Sequence, residues 1–206
     1  LRKKGDVVIH TVMFDLGGVL IEDPSASMVT AFANYFQVDR KTLHKALQKH
    51  WDAWHKGFLS EQALWAQATA DLHIQNPPYD SLWLDGFRQG CRENPEMLLL
   101  LKQLKSLGYS TVLLSNTETS LTAYFKQRLH ADIDRYFFSC EMGLRKPEPA
   151  IYEKVLHELE CQPETVLFID DRPENIEAAA ALGIPGLVFR SYDALREQLA
   201  HYQICL

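Results

Sequence analysis

The feature that most constrains this chain is a unit that recurs along it. A short apolar run rich in β-branched residues is followed by a polar or glycine-bearing turn, and then by a stretch with helical periodicity. Residues 7–14 lead into Asp-Leu-Gly-Gly, 110–114 into Ser-Asn-Thr, and 166–169 into Asp-Asp-Arg-Pro. Residues 135–139 and 185–189 are further strand candidates. Near-continuous apolar strands are covered on both faces, which favours a parallel sheet built from right-handed βαβ units. The predicted class is α/β.

Between residues 23 and 94 the unit disappears. Helical periods follow one another over 26–36, 40–54, 61–72 and 79–91, punctuated by Pro24, Gly57, Pro77-Pro78 and Asn94-Pro95. Four successive helices are too many for a single crossover, so 23–94 reads as an all-helical insertion into a core made of 1–22 and 95–206. Trp51, Trp54 and Trp65, at helical spacing, read as the insertion's own core. After Pro95 helices over 95–107, 120–129, 149–160 and 173–182 alternate with the remaining strands, and Gly108 and Gly183 stop two of them.

Composition narrows the partners. With 206 residues, 47% of them hydrophobic, the chain can bury one substantial core plus a small accessory lobe. Twenty-one basic against 27 acidic side chains give a net charge of -6, and no Lys/Arg block is long enough to track a nucleic acid. No apolar stretch approaches the roughly 20 residues needed to cross a bilayer, and the basic start is not followed by a signal-peptide pattern. Cys91, Cys140, Cys161 and Cys205 are widely separated, with no C-x-x-C pair, and read as reduced thiols of a cytoplasmic protein.

In an open parallel sheet, ligands bind just beyond the carboxyl ends of the strands. Asp15, Ser115 with Asn116, Lys146 and the pair Asp170-Asp171 all fall at such ends. Singly, each has an ordinary reading as a cap, a turn residue or a solvated lysine. Jointly they have one chemical use. Asp15 and Asp171 can hold a hard cation such as Mg2+ beside a phosphate, with the Gly17 carbonyl as a third ligand. Lys146 adds a second positive charge, Ser115 and Asn116 can donate to phosphate oxygens, and Asp15 is then placed to attack phosphorus.

The stretches Phe-Asp-Leu-Gly-Gly-Val-Leu at 14–20, Leu-Ser-Asn-Thr at 114–117, Arg-Lys-Pro-Glu-Pro-Ala-Ile-Tyr at 145–152 and Phe-Ile-Asp-Asp-Arg-Pro-Glu-Asn-Ile at 168–176 resemble, in order, the four motifs of the haloacid dehalogenase superfamily. The chain looks most like its sugar-1-phosphate phosphatases and the N-terminal phosphatase domain of soluble epoxide hydrolase. That resemblance implies a Rossmann-like core with a helical cap, and Mg2+-dependent hydrolysis of a small phosphorylated metabolite such as a sugar phosphate. It further implies Asp15 as nucleophile and metal ligand, Gly17 as carbonyl ligand, Asp171 as distal ligand with Asp170 beside it, and Ser115, Asn116 and Lys146 on phosphate. Asn175, one helical turn past Asp171, would orient that carboxylate or a metal-bound water. The segment 54–61 resembles the family's specificity loop, where His55 and Lys56 either contact substrate or form the solvated end of a helix.

One position departs from the pattern. Most phosphatases of the family carry a second Asp two residues after the nucleophile, as general acid and base, where this chain has Gly17. The sugar phosphatases it resembles share the glycine. Esters with good leaving groups are therefore expected to be preferred. Three readings stay open beside phosphatase: a phosphonatase using Lys56 as Schiff base, a 2-haloacid dehalogenase, and a phosphometabolite-binding protein without turnover. The paired Asp170-Asp171 argues for a metal and hence for phosphate.

Overall fold

The computed structural model describes residues 8–77 and 81–206. Strands β1 (Thr11–Phe14), β2 (Ser110–Ser115), β3 (Arg135–Phe138), β4 (Val166–Asp170) and β5 (Gly186–Val188) form one sheet in the order β3-β2-β1-β4-β5. Every neighbouring pair is parallel. The first strand in sequence is thus the central one in space, and the chain reverses its direction of winding there. Such a reversal opens a crevice at the carboxyl edge.

Alternation of side chains explains how both faces are covered. Val12, Phe14, Leu113, Leu167 and Ile169 belong to one apolar cluster, and Met13, Val112, Leu114, Val166 and Phe168 to another. The first cluster takes in α6 (Pro95–Ser106) through Met97, Leu100 and Leu104, and α11 (Tyr192–His201) through Leu195 and Leu199. The second takes in α9 (Pro149–Leu159) through Ile151 and Val155, and α10 (Pro173–Ala180) through Ile176 and Ala179.

Helices α1 (Ser25–Phe36), α2 (Arg40–Gln48), α3 (Trp51–His55), α4 (Glu61–Leu72) and α5 (Leu82–Gly90) lie between β1 and α6. They close around an aromatic knot. Phe32 meets the Trp65 ring edge-on at 5.2 Å, and Trp54 meets Trp83 at 4.3 Å and 87°. Trp54 and Trp65 are buried as a core pair should be, and Trp51 packs against the same cluster. The chain leaving for these helices and the chain returning from them pair with each other: Glu22 N–H donates to the Arg92 carbonyl at 2.8 Å, and Asn94 N–H to that of Leu20 at 2.9 Å. No helix among the described residues is long and apolar enough to cross a membrane.

Several boundaries differ from the sequence expectation. The helix expected over 40–54 is two helices, broken at Lys49-His50, where neither Pro nor Gly interrupts the apolar period. The first strand begins at Thr11, opposite Ser110 and Val166, although His10 already bonds to Thr165 and Ser110 on either side; residue 7 lies outside the described residues. The helix expected over 79–91 starts at Leu82 under a Ser81 cap, and 78–80 lie outside the described residues. Residue 139 opens the short α8 (Ser139–Met142) instead of ending β3. Helix α11 was not anticipated, although Ser191, whose Oγ accepts from Ala194 N–H, precedes Leu195 and Leu199 at helical spacing.

Candidate active site

Sheet register brings the site together. Phe14 lies opposite Ile169, so the next residues, Asp15 and Asp170, emerge side by side at the carboxyl edge. Phe14 also lies opposite Leu113, which leaves Ser115 one residue further out on the other flank of Asp15. Lys146 reaches this edge from the loop between α8 and α9. Its side chain is 1% exposed, with Nζ 2.8 Å from Asp15 Oδ1 and 2.7 Å from Asp170 Oδ2.

An ammonium so deeply buried must be fully paired. Burial alone would lower the Lys146 ammonium, but Asp15 and Asp170 beside it hold it above the ordinary lysine value. Its backbone is fixed too, since Asn116 Oδ1 accepts from Lys146 N–H at 2.8 Å and Asn116 Nδ2 donates to the Lys146 carbonyl at 2.9 Å. The Asn116 amide thus keeps one hydrogen for a ligand. Ser115 Oγ accepts from Thr117 Oγ1 at 2.6 Å, which leaves the Ser115 hydroxyl proton for a ligand as well.

The two adjacent aspartates are not equivalent. Asp170 is saturated by protein donors: Arg172 N–H and Asn175 Nδ2 reach Oδ1 at 2.9 Å, and Lys146 Nζ reaches Oδ2. Asn175, its carbonyl held by Tyr152 Oη at 3.0 Å, therefore orients Asp170 and not Asp171, contrary to the sequence expectation. Asp171 has a buried Oδ1 with no partner. Its carboxylate lies so close to Gly18, at φ 79°, that a Cβ there would stand 2.5 Å from Oδ2. Carboxylate oxygens of Asp15, Asp170 and Asp171 all lie within 4.8 Å of one another.

Burial first, and charge crowding second, disfavour the ionised form of these groups. Burial raises the Asp15 carboxyl to about 7 against the pull of Lys146, and Asp170 adds to the rise. Burial, and then the charge of Asp170, raises Asp171 as well.

A cavity of about 130 Å³ opens beside this cluster, lined by Asp15, Gly17, Ser115, Asn116 and Lys146 from the sequence-predicted set, together with His55. Lys56 does not line it. Its Nζ is held 2.6 Å from Glu148 and 3.2 Å from Asp52, which takes away the support for a Schiff-base role. Glu118, Arg145 and Arg172 also line the cavity and were missed. Both arginines lie within the motif stretches 145–152 and 168–176, which is a signal; Glu118 at the start of α7 (Thr119–Arg128) carries none. An adjoining cavity of about 90 Å³ shares Gly17, Ser115, Asn116 and Glu118 and adds Met28, Trp83 and Phe87 from the helical segment.

A lysine-centred carboxylate cluster at the switch point of a doubly wound parallel sheet, beside a polar cavity, is the site of a hydrolytic enzyme. The chain belongs to the haloacid dehalogenase-like hydrolase family, which it matches over residues 9–183. It is 28% identical to flavin mononucleotide hydrolase 1 of Arabidopsis thaliana over 92% of this chain and 76% of that protein. It is 27% identical to the sesquiterpene phosphatase AstK of Aspergillus oryzae over 85% of this chain and 87% of that one. A Bacteroides thetaiotaomicron enzyme of the same family, solved with magnesium and inorganic phosphate, has the same fold, with a TM-score of 0.71 at 21% identity over 91% of this chain and 98% of that chain. The family read from the four motifs and the α/β class both stand.

Proposed function

We propose that the chain is a Mg2+-dependent phosphatase that removes phosphate from a small phosphorylated metabolite by way of an aspartyl phosphate on Asp15. The observation that carries this reading is the cluster itself. Three carboxylates face one ammonium, so the fully ionised set keeps two negative charges, and the buried Asp171 Oδ1 has no partner. A hard divalent cation with oxygen ligands fits that deficit. Asp15 and Asp171, with the Gly17 carbonyl, are the groups assigned to hold it; Asp170, saturated by donors, holds Lys146 in place behind them. When bound, the cation offsets charge between the nucleophile and the phosphoryl oxygens.

The protein groups then divide the work. Asp15 Oδ1 is fixed by Leu16 N–H at 2.6 Å and by Lys146, so Oδ2 is the oxygen assigned to attack phosphorus. Lys146 Nζ, the Ser115 hydroxyl and the spare Asn116 amide hydrogen bind the phosphoryl oxygens. Segment 23–94 acts as a cap over the core of 1–22 and 95–206, and the smaller cavity beneath Met28, Trp83 and Phe87 receives the carbon part of the ester. The names of the two curated relatives, a mononucleotide hydrolase and a terpene phosphatase, are in keeping with an organic leaving group there. The purified protein is expected to release inorganic phosphate from p-nitrophenyl phosphate with Mg2+ and to stop when EDTA is added. Failure to do so, on that ester and on a panel of sugar, nucleotide and prenyl phosphates, overturns the proposal.

The titration of Asp15 gives a second test that needs no substrate. Its carboxyl is raised above the unfolded value of 3.8 to about 7, so its contribution to stability is full below 3.8 and is lost as pH rises through about 7. Above that value the charged carboxylate stays buried at a cost which a cation relieves, whereas below it a proton competes for the same oxygen. The rise in Tm on adding Mg2+ should therefore be larger at pH 8 than at pH 5.5. An increment independent of pH would show that the ion binds elsewhere.

A further inference from the structure

Hydrolysis of an ester with a poor leaving group needs a proton at the departing oxygen, and Asp15, Lys146 and Gly17 cannot give one. Asp15 is the nucleophile, the Lys146 ammonium is locked between two carboxylates, and Gly17 has no side chain. Resting on the phosphatase reading, we propose that His55 and Glu118 form the acid-base pair of this site, His55 transferring the proton and Glu118 holding it for the task.

The two side chains come from distant parts of the chain and line the same cavity. His55 closes α3 in the helical segment, and Glu118 precedes α7 on the sheet. His55 Nε2 lies 3.4 Å from Glu118 Oε1, with the side chains 17% and 10% exposed. The separation is long for a hydrogen bond, but contacts of this kind shorten when substrate is bound. His55 is the one imidazole among the described residues lining that cavity; its Nδ1 is buried without a partner, so Nε2, which faces Glu118, is the nitrogen that exchanges the proton. The other titratable or charged side chains on the wall are Asp15, Asp23, Arg145, Lys146 and Arg172. Glu118 is the one in ion-pair contact with the ring.

The position of His55 is set with unusual care for a residue at a helix end. Its ring lies nearly parallel to Trp54, with centroids 5.9 Å apart at 19°, and to Trp51 at 6.2 Å and 21°. Its carbonyl accepts from Ser139 Oγ at 2.6 Å, and Ser139 Oγ in turn accepts from Thr117 N–H at 3.0 Å, next to Glu118. Two residues on, Gly57 at φ 73° approaches α8 so closely that a Cβ would stand 2.2 Å from the Cys140 carbonyl oxygen. The same contacts that seat the helical segment on the sheet thus bring the histidine to its glutamate, and the pair is complete only when the segment is seated.

Proton accounting closes over the two steps. Asp15 Oδ2 bonds to phosphorus as the ester P–O bond breaks, and the bridging oxygen leaves with the electron pair and takes the proton of the His55 imidazolium. The neutral ring then takes a proton from water as the water oxygen bonds to phosphorus and the Asp15–phosphorus bond breaks. Phosphate leaves and the imidazolium is restored.

The test compares p-nitrophenyl phosphate with a simple alkyl phosphate, with Mg2+, in wild type, His55→Gln, Glu118→Gln and the double variant. A general acid contributes about 10² to 10⁴, and chiefly where the leaving group is poor. His55→Gln should therefore lose at least about 100-fold more kcat on the alkyl ester than on the aryl ester, and imidazole added to His55→Gly should restore part of the loss. Glu118→Gln should cost about tenfold on the alkyl ester in wild type and nothing further in the His55→Gln background, because contacting residues that work as one unit are not additive. A merely structural Glu118 would cost the same in both. Equal losses on both esters, or additive losses in the double variant, overturn the pair while leaving the phosphatase reading intact. A wild type inactive on every ester overturns that reading instead.

Discussion

Asp15→Asn is expected to reduce phosphatase turnover by roughly 10⁴-fold or more, the scale on which a lost nucleophile is felt. The substitution keeps the shape of the side chain and the acceptor oxygen for Leu16 N–H, but removes the negative oxygen that, on the proposed function, attacks phosphorus and helps to bind the cation. The fold should not suffer. Burial already raises the Asp15 carboxyl to about 7, so above that pH the native protein carries a charge it would be more stable without. Lys146 keeps Asp170 as partner. The Tm of the metal-free variant at pH 8 should lie within a few degrees of wild type, and Mg2+ should no longer raise it appreciably. Turnover within tenfold of wild type would move the chemistry to another residue.

Lys146→Ala should damage both activity and stability, and that combination separates it from Asp15→Asn. Removing one partner of a buried ion pair costs about 3–5 kcal/mol, because the charge left behind has neither water nor counter-ion. Here two carboxylates are left, those of Asp15 and Asp170. At about 2–4 °C per kcal/mol for a chain of this size, the Tm should fall by roughly 10 °C at pH 8. The fall should be smaller at pH 5, where a protonated Asp15 needs no counter-charge. Turnover should drop by at least about 10²–10³, the loss typical of removing one preorganised donor from a developing charge. A Tm unchanged at pH 8 would mean that Lys146 is not the hub that the short distances to Asp15 and Asp170 describe.

The sequence carried the site's strand-end residues more clearly than it carried their partners. Asp15, Ser115 and Asp170 could be placed together because an apolar run shows where a strand stops, and parallel strands stop at one edge. Asp171 as the distal ligand with Asp170 beside it followed from the motif resemblance, but that Asp170 is the one that meets Lys146 was not legible, because only the packed structure says which neighbour turns towards the lysine. For the same reason Asn175 was expected on Asp171 or a metal-bound water, whereas its amide meets Asp170. Lys56 looked equal to His55 by position in the chain, and Glu148 and Asp52 hold it off the cavity. Glu118 was invisible, as an acidic residue at a helix start is ordinarily read as complementing the dipole. The break at Lys49-His50 escaped because an apolar period records which face is buried, not whether the axis is continuous.

The paired crossings at Leu20–Asn94 and Glu22–Arg92 have an evolutionary consequence. The two ends of the inserted segment lie one hydrogen bond apart, on backbone atoms alone. A domain's tolerance of insertion rests on such closeness of ends. The segment between the crossings is in this sense a cassette. Recombination, or a designer, can exchange it for another helical module with equally close termini, which on the proposed function would replace the contacts offered to the ester's carbon part while Asp15, five residues before the first crossing, keeps its register in the sheet.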